Sequence, residues 1–194
     1  MTFVFRARLV VMLALGVLCM SIAPAFAGAI HVLQGDETKR FVASLGDVQD
    51  FSNKMQAAGK NDFGQVSFTN MAGQPFDLYS RHSTEFQSRY PAEYKEFEGL
   101  VAKYGFSSAS EWSAVADSVM SAFLVQDPKM QVAFQQIEQQ MPPEILSKMP
   151  EQTRKQMEAG MAMVKTLKQV PQDNITAVKP FAPQIKEFVD GINK

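Results

Sequence analysis

Apolar residues recur with a helical period along almost the whole chain, and prolines and glycines interrupt them at short intervals. Tyr79, His82, Phe86 and Tyr90, for example, fall at i, i+3, i+7 and i+11, which is one side of a helix. The alternation of apolar and polar residues that is typical of a strand is nearly absent. The pattern therefore predicts an all-α fold of about seven or eight short, proline-separated helices, packed as a helical bundle.

Two helix starts are the clearest. Residues 108–111 match a capping box, in which the Ser108 oxygen accepts from the Glu111 amide while the Glu111 side chain reaches back. Asp127 followed by Pro128 pairs an N-cap residue with a first-turn proline.

Other boundaries follow from helix breakers. Gly46 and Asp47 are predicted to end one helix and to begin the next. Asn174 is predicted to cap a last segment, which Pro180 and Pro183 kink or split. Residues 60–75 lack a helical period and predict a long loop, with a small hairpin as the alternative.

The N-terminal residues have the three parts of a secretory signal peptide. Arg6 and Arg8 supply a basic start, residues 9–23 are a nearly unbroken apolar run, and a small-x-small triplet ends at Ala27. We predict a signal peptide over residues 1–27 that is cleaved between Ala27 and Gly28. The arginines are not adjacent, so export of the unfolded chain by the Sec-type route is expected.

Removing 27 of the 194 residues leaves 167, which is enough for one domain with a real core. We predict a single all-α domain over residues 28–194. Two arginines are lost with the signal peptide, so the net charge moves from −1 to −3, which does not suit a nucleic-acid binder. The single cysteine, Cys19, is lost too, so the remaining chain has no disulfide, thiolate metal site or cysteine nucleophile. No later segment approaches membrane length, and we expect a periplasmic or secreted protein.

The sequence indicates no catalytic, cofactor-binding or metal-binding residue. The nucleophile turn, the phosphate-binding glycine loop and the zinc helix motif are all absent from the sequence. His82 with Glu85 supplies only two ligands, and a structural histidine is favoured. His31 is the fourth residue after the predicted cleavage, whereas an amino-terminal copper site needs the third. We therefore predict a protein that is not an enzyme and has no cofactor.

Methionine is the next chemical signal. Met141, Met149, Met157, Met161 and Met163 lie within 23 residues. Thioethers are soft ligands that suit Cu(I), and they also form adaptable surfaces for varied partners. Met157 and Met161 share one helix face, but Met163 points about 200° away from Met161, which argues against a three-sulfur site.

Aromatic and acidic residues leave further alternatives open. Nine aromatics lie between Phe63 and Tyr104; core packing is favoured, and an apolar ligand pocket is the alternative. The carboxylates of Glu93, Glu96 and Glu98 are predicted to form a solvated helix face. Residues 174–176 match a glycosylation acceptor, although helix capping by the asparagine is favoured.

Together these patterns predict an exported, non-catalytic helical protein that acts as an interaction module of the bacterial cell envelope. The partner is expected to be a protein. One alternative is a carrier of a small apolar ligand, and another is a Cu(I)-binding or chaperone-like protein. The Met- and Gln-bearing helices resemble the helical chaperones of bacterial envelopes, but the Leu-Thr-x-x-Gln repeats of those proteins are absent here, so no residue roles are carried over.

Overall fold

The computed structural model of the protein describes residues 30–60, 76–140 and 149–192. Within these ranges the chain forms α-helices and one 3-10 turn and no strand, which confirms the predicted all-α class for the described residues. The predicted signal peptide with its Ala27–Gly28 bond, residues 61–75 of the predicted loop, and Met141 lie outside the described residues. None of the described helices is both long enough and apolar enough to cross a membrane.

The helices follow one another with short connections where the described chain is continuous. They are α1 (Glu37–Ala57), α2 (Leu78–Arg89), α3 (Pro91–Ala102), α4 (Ala109–Leu124), α5 (Pro128–Gln140), α6 (Glu151–Leu167), α7 (Gln172–Val178), the 3-10 turn (Lys179–Phe181) and α8 (Ala182–Ile192).

Helix α4 is the centre of the fold. It contacts α1, α2, α3, α6 and α7, and buried side chains lie on every side of it. A helix that is buried all round must satisfy its polar side chains internally. The Ser113 hydroxyl does so by donating to the Ala109 carbonyl one turn earlier, at 2.8 Å.

Helix α1 corrects one predicted boundary. The expected break at Gly46 and Asp47 is wrong, because α1 continues unbroken from Glu37 to Ala57. Phe41, Leu45 and Val48 are all buried on its inner face, before and after the glycine. A glycine within a helix costs about 1 kcal/mol relative to alanine, and the buried apolar stripe outweighs that cost.

Aromatic rings fill the space between α1, α2, α3 and α4. Phe51 lies 5.5 Å from Phe97 and 6.1 Å from Phe86, measured between ring centroids. Trp112 contacts Phe97 edge-on at 5.3 Å. The Trp112 indole N–H donates to the Ser44 hydroxyl at 2.9 Å, so the polar atom of this buried ring is satisfied.

The capping bonds predicted for two helix starts are present in part. The Glu111 amide donates to the Ser108 oxygen at 3.0 Å, as predicted. The Glu111 carboxylate does not complete the box on Ser108 itself, because it accepts from the Ser107 amide instead, at 2.7 Å. At α5 the Asp127 carboxylate accepts from the Lys129 amide at 2.7 Å, as expected of an N-cap residue.

Candidate functional site

The two histidines lie in separate places. His82 is half-buried on α2, with its Nδ1 atom 4.0 Å from the Glu85 carboxylate. His31 precedes α1, and its Nε2 atom is 2.9 Å from the Glu37 carboxylate. Over the described ranges, no group of three or more His, Cys, Asp or Glu side chains is placed to hold a metal ion.

The methionines of α6 point in different directions. Met157, Met161 and Met163 all lie within one continuous helix, so the first two share a face and the third does not. All three are half-buried, and Met163 packs against the core. The structure therefore brings two of the predicted sulfur atoms to one face, not three.

The predicted acidic face of α3 is in part an ion-paired face. Lys54 near the end of α1 donates to the Glu96 carboxylate at 2.6 Å, and Lys60 pairs with Glu93. The hydrogen bond from Lys60, the largest cause, holds the pKa of the Glu93 carboxyl below its ordinary value. These pairs join α1 to α3, and both glutamates already have cationic partners.

The aromatic residues are mostly core, as favoured from the sequence. Phe86, Tyr94 and Phe97 are buried, and Tyr79 and Tyr90 pack partly buried against the same cluster. The rings contact one another, so among the described residues they supply no observation that favours a ligand pocket. Phe63 and Phe68 lie outside the described residues.

Asn174 does not have its predicted role. It lies inside α7, which begins at Gln172, so it does not cap the helix. Its side chain is fully buried and bonds the backbone of residues near the start of the described chain. The same burial removes the amide from reach of a glycosylating enzyme, so neither the capping nor the glycosylation reading fits.

The structure places a buried carboxylate, Asp117, in the middle of α4, and it was not singled out from the sequence. Asp117 is 6% exposed. One carboxylate oxygen accepts from the Tyr79 amide at 2.7 Å, and the other accepts from the Ser80 amide at 3.1 Å and the Ser80 hydroxyl at 2.6 Å. The available signal was a carboxylate among the apolar and small residues that follow the first turn of α4.

Asp117 caps α2 from another helix. Tyr79 and Ser80 are the second and third residues of α2, whose first amides have no partner within the helix. The residue at the usual capping position, Asp77, makes no capping bond, and its carboxylate accepts from Arg81 at 2.6 Å. Asp117 therefore takes over the capping function and ties α2 to α4.

Burial dominates the electrostatics of this carboxyl. Loss of solvent raises the pKa of Asp117 to about 7, against the hydrogen bonds from Ser80 and Tyr79, which lower it; the nearby Asp77 adds a smaller increase. Burial, together with the negative charge of Asp117, also raises the pKa of the Tyr79 phenol. The arrangement can change its protonation state near neutral pH, but its oxygens already accept three bonds from the chain itself.

Helices α5 and α6 form the second feature, which we call the arm. They pack on each other, and α6 also contacts α4. Along the sequence of the arm, no described side chain is buried before Val164, which lies near the end of α6. Val132 on α5 is 53% exposed, and Met130, Met157 and Met161 are half-buried. Val132 and these three methionines therefore lie outside the core cluster, whereas Phe134, Met163 and Leu167 of the arm pack against it or within it.

No protein-family model, curated protein or solved structure matches this chain. The fold alone defines the class, which is an all-α helical protein. A central helix is surrounded by other helices, and the arm carries half-buried methionines.

Proposed function

We propose that this protein is an exported, non-catalytic interaction module of the bacterial cell envelope, and that it binds a protein partner through the arm. The observation that carries this proposal is the exposure of an apolar side chain on the arm, compared with the other described helices, which we call the body. Val132 is 53% exposed, whereas the apolar residues of α1 and α4 that face the core are buried. Large apolar side chains at the surface, when grouped, are typical of a binding surface.

The chemistry of the arm suits a protein partner. Each square ångström of apolar surface removed from water contributes about 25 cal/mol, so covering these side chains favours association. Met130, Met157 and Met161 are unbranched and polarisable, and they adapt to irregular partner surfaces. An amphipathic helix of the partner, laid against the two arm helices, is the expected mode of binding.

Export is proposed from the N-terminal pattern. The His31 carbonyl accepts from the Asn174 side chain, so the expected mature chain would bond the body from its fourth residue onward. We expect the protein to accumulate in the periplasm or to be secreted, without residues 1–27. The intact mass of the protein purified from a bacterial envelope fraction checks this expectation, and recovery of the uncleaved chain alone would contradict it.

The absence of catalysis is part of the proposal. The described carboxyl with the most unusual pKa, Asp117, is buried and accepts bonds from Tyr79 and Ser80 at every oxygen. A general acid or base needs access to a substrate. Its engagement as a helix cap supports a structural role.

Two alternatives from the sequence have less support. A carrier of an apolar ligand needs space between the rings of Phe86, Phe97 and Trp112, and these rings contact one another. A Cu(I) site needs several sulfur atoms in one place, and α6 supplies Met157 and Met161 on one face. Stoichiometric Cu(I) binding that is lost in the Met157→Leu, Met161→Leu variant would favour the copper site instead.

Photo-crosslinking tests the arm directly. A photoreactive phenylalanine analogue placed at Val132 should give a discrete cross-linked product in an envelope extract, and the analogue placed at Gln87, an exposed residue of α2, should not. The variant Val132→Lys should lose capture of the same partner, with Gln87→Lys as its matched control. Equal cross-linking from both positions, or none from Val132, would exclude the arm as the binding surface.

A further inference from the structure

The described methionines differ in burial according to where they lie in the fold. Met55 on α1 and Met120 on α4 belong to the core, and they are 1% and 5% exposed. The described methionines that follow α4 along the chain are all half-buried: Met130, Met149, Met157, Met161 and Met163. The thioethers of the body are therefore shielded from solvent, whereas those of the arm are partly open to it.

The thioether is the readily oxidised sulfur group of the expected mature chain. The only cysteine of the sequence, Cys19, lies in the predicted signal peptide. A lone pair of the thioether sulfur attacks one oxygen of a hydroperoxide and forms the S–O bond while the O–O bond breaks. With hydrogen peroxide, the departing hydroxide takes the proton of the transferred hydroxyl and leaves as water. The product, methionine sulfoxide, is polar, and methionine sulfoxide reductases convert it back to methionine.

Three of the half-buried methionines are set apart from the core. Met130, Met157 and Met161, which we call the arm methionines, lie outside the core cluster, whereas Met163 packs against it. Met157 and Met161 are one turn apart on the same face of α6. Oxidation of the arm methionines therefore makes an apolar part of the arm polar. The body is spared, because Met55 and Met120 are reached only when the core opens.

We propose that the arm methionines are sites of reversible oxidation by hydroperoxides, and that their oxidation releases the protein partner from the arm. The release rests on the proposed function of the arm, whereas the oxidation sites do not. The proposed export brings the arm into an oxidising compartment. A sulfoxide that a partner covers loses its water and gains no matching hydrogen bond, which disfavours the complex. The oxidised protein keeps its folded body, and a reductase returns the arm to its binding form.

Mass spectrometry of the peroxide-treated protein tests the oxidation sites. The full chain, purified in the form that the cell accumulates, is treated with dilute hydrogen peroxide and digested with trypsin at intervals. The arm methionines should gain an oxygen atom at least about 100-fold faster than Met55 and Met120, because about 10⁻³ or less of a stable domain is unfolded at any time. Fluorescence of the buried Trp112 should stay unchanged meanwhile. Equal rates at Met55 and Met157, or oxidation of the arm only after the fluorescence reports unfolding, would overturn the proposal.

Cross-linking from Val132 tests the release. Oxidation of the arm methionines, followed by removal of the peroxide, should lower the yield of cross-linked product at least about 5-fold, because a covered polar group is left without a partner. Treatment with the two methionine sulfoxide reductases should restore the yield. The Met130→Leu, Met157→Leu, Met161→Leu variant keeps an apolar arm that peroxide does not change, so its yield should be the same before and after treatment. Met163→Leu, in the same helix, is the matched control and should remain sensitive to peroxide.

The outcomes separate the release from the binding role of the arm. An unchanged yield after oxidation, or a loss that persists in the triple leucine variant, would overturn the release while the binding role stands. No product from the untreated protein would overturn the binding role and the release together. The oxidation rates decide the oxidation sites in every case, since they are measured without a partner.

Discussion

Replacing Asp117 by Asn should remove a pH dependence of stability that the buried carboxyl introduces. Burial raises the pKa of Asp117 to about 7 in the folded protein, from an ordinary value of 3.8. The folded state therefore binds a proton at this site more tightly than the unfolded state. The contribution to stability is fully present below pH 4, and it is lost as the pH rises through the folded pKa near 7.

The size of the effect follows from the two pKa values. They differ by about 3, and each pKa unit corresponds to about 1.4 kcal/mol of free energy, so the contribution is about 4 kcal/mol between acid and neutral pH. Asn has nearly the same shape and no charge, so the variant lacks this term. It should be less stable than the wild type at acid pH, because its amide nitrogen faces the Ser80 amide without accepting from it. This cost is largely independent of pH.

Urea unfolding at a series of pH values measures the difference between the two proteins. Trp112 is the single tryptophan and is 4% exposed among other rings, so its fluorescence reports unfolding. The free energy of unfolding of the wild type minus that of Asp117→Asn should fall by about 4 kcal/mol from pH 4 to pH 8. Asp173→Asn, which removes an exposed carboxylate from α7, is the matched control and should show no such fall.

Two outcomes would refute the reasoning. A difference that stays constant with pH would mean that Asp117 has nearly the same pKa in the folded and unfolded states. A difference that rises with pH would mean that the bonds from Tyr79 and Ser80 outweigh burial and hold the carboxyl ionised. In either case Asp117 would remain a cap of α2, but it would not titrate near neutrality.

Three further substitutions test the packing. Asn174→Leu should lower the free energy of unfolding by roughly 2 to 5 kcal/mol, because two buried backbone groups lose their partners; Thr176→Ala on the exposed side of α7 is its control in the same denaturation assay. Gly46→Ala should raise the free energy of unfolding by about 0.5 to 1 kcal/mol, since the position is helical and open. Gly105→Ala should lower it by about 1 to 2 kcal/mol, because φ there is +84° and an alanine is strained in that conformation. Thermal unfolding of the two glycine-to-alanine variants should therefore shift in opposite directions.

Local patterns predicted the helices well. The periodic face of Tyr79, His82 and Phe86 is helix α2, and the start at Ser108 is capped as expected. These features depend on residues within one or two turns of each other, which a single sequence displays. The break predicted at Gly46 is wrong. The helix penalty of glycine is local and about 1 kcal/mol, whereas the burial of Phe41 and Val48 that opposes it depends on the tertiary structure, which the local pattern does not show.

The two polar groups that organise the fold could not be predicted in the same way. Asn174 bonds residues that lie 141 and 143 positions away, and Asp117 bonds residues 37 and 38 positions away. Their residue types allow local roles, capping for the asparagine and solvation for the aspartate. The role of Asn174 is decided by the approach of α7 to residues 31–33. The role of Asp117 is decided by the approach of α2 to α4.

These long-range bonds also explain how the body and the arm can differ in stability. Asn174 and Asp117 tie distant elements of the body together around the aromatic core. The described side-chain bonds of the arm are local: Gln131 donates to the Val125 carbonyl, and Thr166 donates to the Ala162 carbonyl. Regions held by local bonds and few buried contacts open at lower free energy than the core. The arm can therefore adjust to a partner while the body stays folded, and hydrogen exchange should accordingly be faster in α5 than in α4.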